Sequence, residues 1–144
     1  MTAGGASPVL VAGLGCRRGC PSSALLELIE RHLADAGYPL SALHALASVD
    51  LKADEPGLRA LAQQLDVPLI CLPATTLAAF DTQLTHRSAI ALARTGSPGV
   101  AESAALAVAS QLGDRPAHLL VSHRKSDSAT FALALAPSSG SLPP

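Results

Sequence analysis

A short apolar run followed by closely spaced glycines constrains the fold of this chain more than any other feature. Residues 9–11 form the run, which is typical of a strand buried in a parallel sheet. Gly13, Gly15 and Gly19 follow, and Pro21 stands where the first turn of a helix accepts proline. A strand, a glycine-rich turn and a helix in this order are a common way to build an anion site from backbone.

The residues of this turn strengthen the prediction of an anion site. Glycines let main-chain N–H groups approach a ligand, and a helix N-terminus adds partial positive charge. Arg17 and Arg18 add full charges and paired donors that suit carboxylate or phosphate. The alternative is a tight turn that only reverses the chain. The predicted ligand-binding residues here are Gly13, Gly15, Cys16, Arg17, Arg18 and Gly19.

The first half of the chain alternates between strand and helix patterns. Helices are predicted over residues 21–36 and from Pro56, with Asp54 as the N-cap of the second, and further strands over residues 43–49 and 67–72. This βαβαβ order predicts parallel strands joined by right-handed crossovers.

The second half predicts a return of the chain to the sheet. Thr76 is a candidate cap for a short helix, residues 88–92 suggest a helical turn, and a longer helix is expected from Ser97, its cap, to Gly113. Strands over residues 118–122 and 129–135 are separated by too few residues for a helical crossover, so they should pair antiparallel.

These patterns together predict a three-layer α/β fold. Its sheet should be mixed but mostly parallel, with about five strands, helices on both faces and the last two strands antiparallel. We expect residues 8–136 to form a single domain, with a flexible leader over residues 1–7 and a flexible tail over residues 137–144.

Composition excludes several classes of partner. Aromatic residues make up only 2 % of the chain, so it offers no stacking platform for single-stranded nucleic acid. A net charge of −1 argues against a broad basic surface for duplex DNA. The chain shows no apolar run of about 18 residues and no signal-peptide pattern, so we expect a cytoplasmic protein without a membrane partner. Neither the three cysteines nor the histidines show a metal spacing, and we predict no metal and no cofactor.

A second polar cluster follows the predicted second strand. Ser48, Asp50, Lys52 and Glu55 lie at or after its carboxyl end, the edge where wound sheets bind ligands. A lysine close to several carboxylates suits acid–base chemistry, which makes Asp50 and Lys52 candidate catalytic residues. The alternative is a helix cap inside a solvated charge cluster.

Two further segments carry candidate residues. Gly96, Ser97 and Gly99 precede the longest predicted helix of the second half and suggest another anion cradle, while Glu102 in its first turns is a candidate base. Lys125 lies in the basic turn between the last two strands. A plain capped helix and solvated cations are the respective alternatives.

In chain order these segments resemble a known family. Its motifs are G-L-G-C-R-R-G near the start, S-V-D-L-K-x-x-E-x-G-L from Ser48, G-x-x-G-V-A-E-x-A-A-L from Gly96, and K-x-x-x-x-T-x-A from Lys125. They resemble the CobE proteins of cobalamin biosynthesis and the C-terminal domain of CbiG, the cobalt-precorrin-5A hydrolase. The resemblance spans about residues 8–136 and suggests a stand-alone, CobE-type protein of the aerobic pathway.

The resemblance implies a role in building the corrin ring of vitamin B12. Corrinoid intermediates carry acetate and propionate carboxylates, which Arg17, Arg18 and Lys52 are suited to bind, so a precorrin or other corrinoid is the expected ligand and further enzymes of the pathway are candidate partners. CbiG-type enzymes open a ring δ-lactone and release acetaldehyde. The alternative is therefore a precorrin lactone hydrolase or C–C lyase that uses Asp50, Lys52 and Glu102. A nucleotide-binding module is a third possibility, although the glycine spacing is one residue too long for the dinucleotide fingerprint.

Overall fold

A five-stranded mixed sheet forms the middle layer of the structure. The computed structural model describes residues 8–113 and 115–137, so the predicted leader and, apart from Pro137, the predicted tail lie outside the described residues. The strands are β1 Val9–Cys16, β2 Ala45–Val49, β3 Leu69–Leu72, β4 His118–Lys125 and β5 Ala129–Ala136. Their order across the sheet is β3-β2-β1-β5-β4.

Strand direction confirms the predicted mixed sheet. The β1–β2 and β2–β3 pairs are parallel, whereas β5 is antiparallel to both β1 and β4. Four strands therefore run in one direction and β5 runs against them. The sequence left open which edge takes the last two strands, and the structure inserts β5 directly beside β1.

Helices cover both faces of the sheet, as predicted for three layers. Residues of the first two helices pack with Leu10, Leu14 and Phe131 on one face, and residues of the fifth helix pack with Val11 and Val49 on the other. The helices are α1 Ser22–Asp35, α2 Pro56–Leu65, α3 Ala74–Leu77, α4 Ala89–Thr95 and α5 Val100–Leu112. Within the described residues, no helix combines the length and the apolar character needed to cross a membrane.

Close packing between α5 and β1 fixes the position of the α5 N-terminus. A Cβ atom at Gly13 would overlap the carbonyl oxygen of Ala101, so only glycine allows the helix to approach this strand. Residues 100–109 of α5 are all buried, whereas Leu112 at the end of the helix is 46 % exposed. The small residues of α5 let nearly its whole circumference be enclosed rather than one stripe.

Three predicted helix caps are wrong. Glu55, not Asp54, precedes α2, and the exposed Asp54 carboxylate instead lies 3.8 Å from Arg59 Nη1. Gly99, not Ser97, precedes α5, and α3 begins after a proline rather than at Thr76. In contrast, Ser88 does cap α4, where its hydroxyl accepts a hydrogen bond from the N–H of Ala91 at 3.1 Å. Side-chain type alone did not separate true caps from neighbouring polar residues.

Candidate functional site

The predicted site residues converge on one edge of the sheet. The carboxyl ends of β1, β2 and β3 meet there because these strands are parallel, and β4 ends at the same edge because it runs in the same direction. Lys125 pairs with Thr130, and Cys16 pairs with Ala129, so the β4–β5 turn lies beside the glycine-rich turn. We call this region the carboxyl edge.

The glycine-rich turn holds two arginines at the surface of the carboxyl edge. Arg17 and Arg18 are exposed, and neither forms an ion pair with any residue that the structure describes. The main-chain N–H of Arg17 donates to the carbonyl of Ser128 at 2.9 Å, and the N–H of Cys20 donates to the carbonyl of Arg17 at 3.1 Å. The turn is therefore fixed to the β4–β5 turn, while its two guanidinium groups remain available.

The glycines of this turn serve the fold more than they expose backbone donors. Gly13 makes room for α5, and a Cβ at Gly15 would lie 2.7 Å from the hydroxyl oxygen of Thr130. Gly19 has a φ of +80°, a left-handed conformation that favours glycine, and its N–H donates to Glu55 Oε2 at 2.8 Å. Glu55 is buried, so a carboxylate of the chain itself already occupies the donor at Gly19.

Two helix N-termini add positive potential behind the arginines. α1 and α2 begin side by side, because a Cβ at Gly57 would overlap the carbonyl oxygen of Cys20. The α1 N-terminus has neither a side-chain cap nor an acidic residue in its first turn. The partial charge at the uncapped α1 end therefore favours an anion near Arg17 and Arg18, whereas the Glu55 carboxylate precedes α2 and offsets the partial charge there.

Lys52 lies close enough to the turn to act on its cysteine. Burial raises the pKa of the Cys16 thiol to about 11, against an opposing effect of the Lys52 charge, while Cys20 and Glu55 raise it further. Lys52 is half-buried and forms no ion pair with a described residue. Lys52 therefore lies near the glycine-rich turn. This was expected, because the carboxyl ends of the parallel strands β1 and β2 lie side by side.

The remaining residues of the second cluster differ in role. Ser48 is buried, and its hydroxyl donates to the carbonyl of Leu14 at 2.7 Å, one residue beyond the last β1–β2 pair. Asp50 is exposed and close to Cys71, whose pKa is raised by burial and further by this carboxylate. Ser48 therefore closes the gap between two strands, and Asp50 remains accessible at the edge.

Glu102 is enclosed by donors. Its Oε1 accepts hydrogen bonds from the N–H groups of Thr85 at 2.8 Å and His86 at 3.3 Å, and its Oε2 accepts one from the N–H of His123 at 2.9 Å and one from the Thr85 hydroxyl. Burial raises the pKa of Glu102, but these four hydrogen bonds outweigh it and the net pKa is lowered. An ionised carboxylate with all its donors in place is suited to positioning rather than to accepting a proton.

A stacked histidine pair adjoins Glu102, and sequence reasoning missed it. The rings of His86 and His123 stack with centroids 4.2 Å apart, and burial lowers the pKa of His123. His86 lies in a segment without helical or strand periodicity, so no pattern placed it beside β4. The four-donor environment of Glu102 was missed for the same reason.

The third predicted segment forms the base of the α4 loop. Gly96 ends α4 with a φ of +83°, and Gly99 packs against Leu84. Ser97 is buried, and its hydroxyl accepts from the Gly99 N–H at 3.3 Å and lies 3.3 Å from the Ser103 hydroxyl. These residues connect the loop to α5, and their role in ligand binding stays a prediction.

A groove elsewhere contains none of the predicted site residues. It has a volume of about 720 Å³ and runs along the outer side of α2. Its lining residues are Ala53, Asp54, Arg59, Ala62, Gln63, Asp66, Val67, Pro68 and Leu69. The candidate site at the carboxyl edge is therefore separate from this groove.

Comparisons with known proteins match nearly the whole described chain to one family. Residues 10–134 match the family described as cobalamin synthesis G C-terminus. The chain is 45 % identical to the protein CobE of Sinorhizobium sp over 87 % of its length and 79 % of that protein. It is 30 % identical to the cobalt-precorrin-5A hydrolase of Priestia megaterium, of which it spans only 33 %, over 90 % of its own length. A crystal structure of CobE, a protein from the cobalamin biosynthetic pathway, superposes with a TM-score of 0.86 at 48 % identity, covering 89 % of this chain and 90 % of that one.

Proposed function

Since the chain belongs to the CobE/CbiG family of cobalamin-biosynthesis proteins, we propose that it binds a corrinoid intermediate at the carboxyl edge of its sheet. The observation that carries this proposal is the pair Arg17 and Arg18. Both are exposed at the edge, and neither is neutralised by a carboxylate among the residues that the structure describes. Adjacent like charges repel, and an anionic ligand between or beside them relieves that repulsion.

The charge balance at the edge supports a ligand with several carboxylates. Lys52 and the uncapped N-terminus of α1 add to the arginines, and the Glu55 carboxylate, which accepts from the N–H of Gly19, forms no ion pair with either arginine. Each charged hydrogen bond to a ligand carboxylate contributes about 1.5–3 kcal/mol before the costs of desolvation and immobilisation. Several such contacts suit a macrocycle with acetate and propionate groups on its rim.

The other residues of the edge have distinct roles in this proposal. Glu55 and Ser48 hold the glycine-rich turn and the second strand in place, and Glu102 holds the loop that precedes α4. Lys125, exposed at the end of β4, extends the cationic surface. Gly96, Ser97 and Gly99 set the position of α4 relative to that surface. A corrinoid bound on an open edge would also remain accessible to another enzyme of the pathway.

Titration with hydrogenobyrinic acid tests the proposal directly. The parent protein should change the absorbance of this cobalt-free corrinoid, and the affinity should fall as salt rises because the contacts are ionic. Arg17→Ala/Arg18→Ala should weaken binding strongly. The matched control is Arg31→Ala/Arg115→Ala, which removes two exposed arginines elsewhere and leaves the net charge of the two variants equal. An absence of binding by the parent at about 100 μM would refute the proposal. This concentration corresponds to a binding free energy of only about −5.5 kcal/mol.

A hydrolase is the second candidate, supported by the similarity to cobalt-precorrin-5A hydrolase. In this chain its acid–base groups would be Asp50 and Lys52, because Glu102 is held by four donors. Incubation with a lactone-bearing precorrin should then change the mass of the pigment, and Asp50→Asn should abolish the change. An unchanged mass with the parent protein would leave binding as the function.

A further inference from the structure

A hydrogen bond from Glu55 links the glycine-rich turn to the start of helix α2. Glu55 is 8 % exposed, and its Oε2 accepts from the N–H of Gly19 at 2.8 Å. The two residues are 36 positions apart in the chain, so this bond joins segments that the sequence separates widely. Because acidic side chains are almost never buried without a partner, the contact with Gly19 accounts for the buried position of this carboxylate.

The bond from Glu55 fixes one side of the segment that carries the two arginines. On the other side, the N–H of Arg17 donates to the carbonyl of Ser128 at 2.9 Å. Arg17 and Arg18 therefore precede Gly19 between an attachment to the β4–β5 turn and an attachment to α2. Of these two attachments, only the second uses a side chain, so a substitution can remove it without changing the backbone.

The same carboxylate brings a negative charge to a site for anions. The charge of Glu55 raises the pKa of Cys16 in the glycine-rich turn, whereas the charge of Lys52 lowers it. The electrostatic effect of Glu55 therefore extends to the turn, although Glu55 forms no ion pair with a described residue. Its hydrogen bond and its charge have opposite consequences for an anionic ligand, because the bond orders the turn and the charge repels the ligand.

We propose that Glu55 is a positioning residue with two separable effects: its acceptor oxygen fixes the turn that presents Arg17 and Arg18, and its charge limits the affinity of the site for a corrinoid carboxylate. This inference rests on the proposed function and adds a residue that regulates how tightly the ligand is held. Differences in affinity between related complexes arise mainly from the dissociation rate. A carboxylate beside the arginines therefore favours release of the ligand.

Glu55→Gln and Glu55→Met separate the acceptor from the charge. Both variants lack the carboxylate and have side chains of similar length, but only glutamine keeps an oxygen acceptor for the N–H of Gly19. Glu55→Gln should bind hydrogenobyrinic acid about 2- to 5-fold more tightly than the parent, because a nearby negative charge is removed. Glu55→Met should bind at least about 10-fold more weakly than Glu55→Gln, because the turn loses its attachment. The matched control is Asp54→Asn, which removes the neighbouring carboxylate, whose side chain is 99 % exposed, and should stay within about twofold of the parent.

Hydrogen exchange in the free protein tests the attachment without a ligand. The amide of Gly19 should exchange at least about 10-fold faster in Glu55→Met than in the parent, whereas in Glu55→Gln its rate should stay close to that of the parent. The pKa of Cys16 should fall below its value of about 11 by a similar amount in both variants, because both lack the charge of Glu55. If Glu55→Met does not fold, the comparison of Glu55→Gln with the parent still tests the proposal.

A variant without the arginines shows whether Glu55 acts through them. In the background of Arg17→Ala/Arg18→Ala, the affinities of Glu55→Gln and Glu55→Met should differ by less than about twofold, because the turn then presents no guanidinium groups. A purely structural role of Glu55 would leave the difference between the two variants unchanged in this background.

The outcomes distinguish this inference from the proposed function. If the parent binds hydrogenobyrinic acid and the glutamine and methionine variants bind it equally well, the acceptor does not position the turn and the inference is wrong. If Glu55→Gln binds no more tightly than the parent, or if the difference between the variants persists without the arginines, the inference is also wrong. If the parent does not bind the corrinoid, the proposed function fails, and this inference fails with it.

Discussion

Replacing Glu102 by glutamine should lower the free energy of unfolding, because the carboxylate of Glu102 accepts hydrogen bonds that glutamine cannot all replace. The amide oxygen of glutamine can still accept from Thr85 and His86, but its NH₂ group would face the N–H of His123, now 2.9 Å from Oε2. Leaving that donor unsatisfied costs about 1–3 kcal/mol, and the bonds that remain lose their charge-assisted strength. We expect a loss of about 2–4 kcal/mol in the free energy of unfolding.

The dependence of this loss on pH identifies its origin. The pKa of Glu102 in the folded protein is lowered from its ordinary value of 4.5, so the ionised carboxylate stabilises the fold above that pH. Its contribution is lost as the pH falls through the folded-state pKa. The difference between Glu102→Gln and the parent should therefore shrink on acidification below about pH 4.5.

Urea unfolding at several pH values measures both effects. The midpoint should fall in Glu102→Gln with an unchanged slope, which reports stability rather than a change in the unfolded state. Glu27→Gln is the matched control, because this side chain is 77 % exposed and paired only with Arg31 at 3.6 Å. It should change stability by less than about 0.5 kcal/mol. A midpoint of Glu102→Gln equal to that of the control, or a difference that does not change with pH, would refute the positioning role.

Three further perturbations test the packing and the electrostatics of the edge. Gly13→Ala should destabilise the protein by about 3 kcal/mol, because the added Cβ would meet the carbonyl of Ala101. The control Gly37→Ala, at a φ of +87° in open space, should cost only about 1 kcal/mol. Equal losses of the two variants in chemical unfolding would contradict the packing role of Gly13. Cys16 should react with iodoacetamide near neutral pH about 10-fold more slowly than a thiol of pKa 9.0, because its thiolate fraction is about 100-fold lower while its thiolate is more nucleophilic. Peptide mass spectrometry can measure this rate, and a rate equal to that of glutathione would count against the raised pKa. Burial lowers the pKa of His123 from 6.5, so the thermal stability of the protein should decrease as the pH falls below that value. His123→Gln should make this decrease smaller. A pH profile of thermal stability that is the same in the variant and the parent would contradict the role of His123.

The sequence predicted the architecture because its signals are local. Apolar runs, the glycines after β1 and the short gap before β5 are each contained in a few neighbouring residues, and they predict strands, crossovers and an antiparallel pair. The insertion of β5 between β1 and β4 was not predictable in this way. It depends on pairing β5 with a strand at the other end of the chain, for which no local pattern exists.

The sequence predicted which segments meet at the carboxyl edge better than it predicted what each residue contacts. Parallel strands bring their carboxyl ends together, so the proximity of Lys52 to the glycine-rich turn followed from the fold. Gly13 was interpreted as a ligand contact, although its neighbour is the backbone of α5. A glycine needed for close packing and a glycine needed for a ligand look the same in sequence. The buried partners of Glu55 and Glu102 are main-chain N–H groups, which carry no residue signature.

Although the net charge of the chain is −1, the acidic and the basic residues at the carboxyl edge have different partners. Glu55 accepts a hydrogen bond from one backbone N–H and Glu102 from three, and neither forms an ion pair with an arginine or lysine that the structure describes. Arg17 and Arg18 likewise form no ion pair within the described residues. A chain of nearly balanced charge can in this way present a locally cationic surface, which the uncapped N-terminus of α1 reinforces. The Glu55 carboxylate offsets part of that potential, because its charge acts on Cys16 in the same turn.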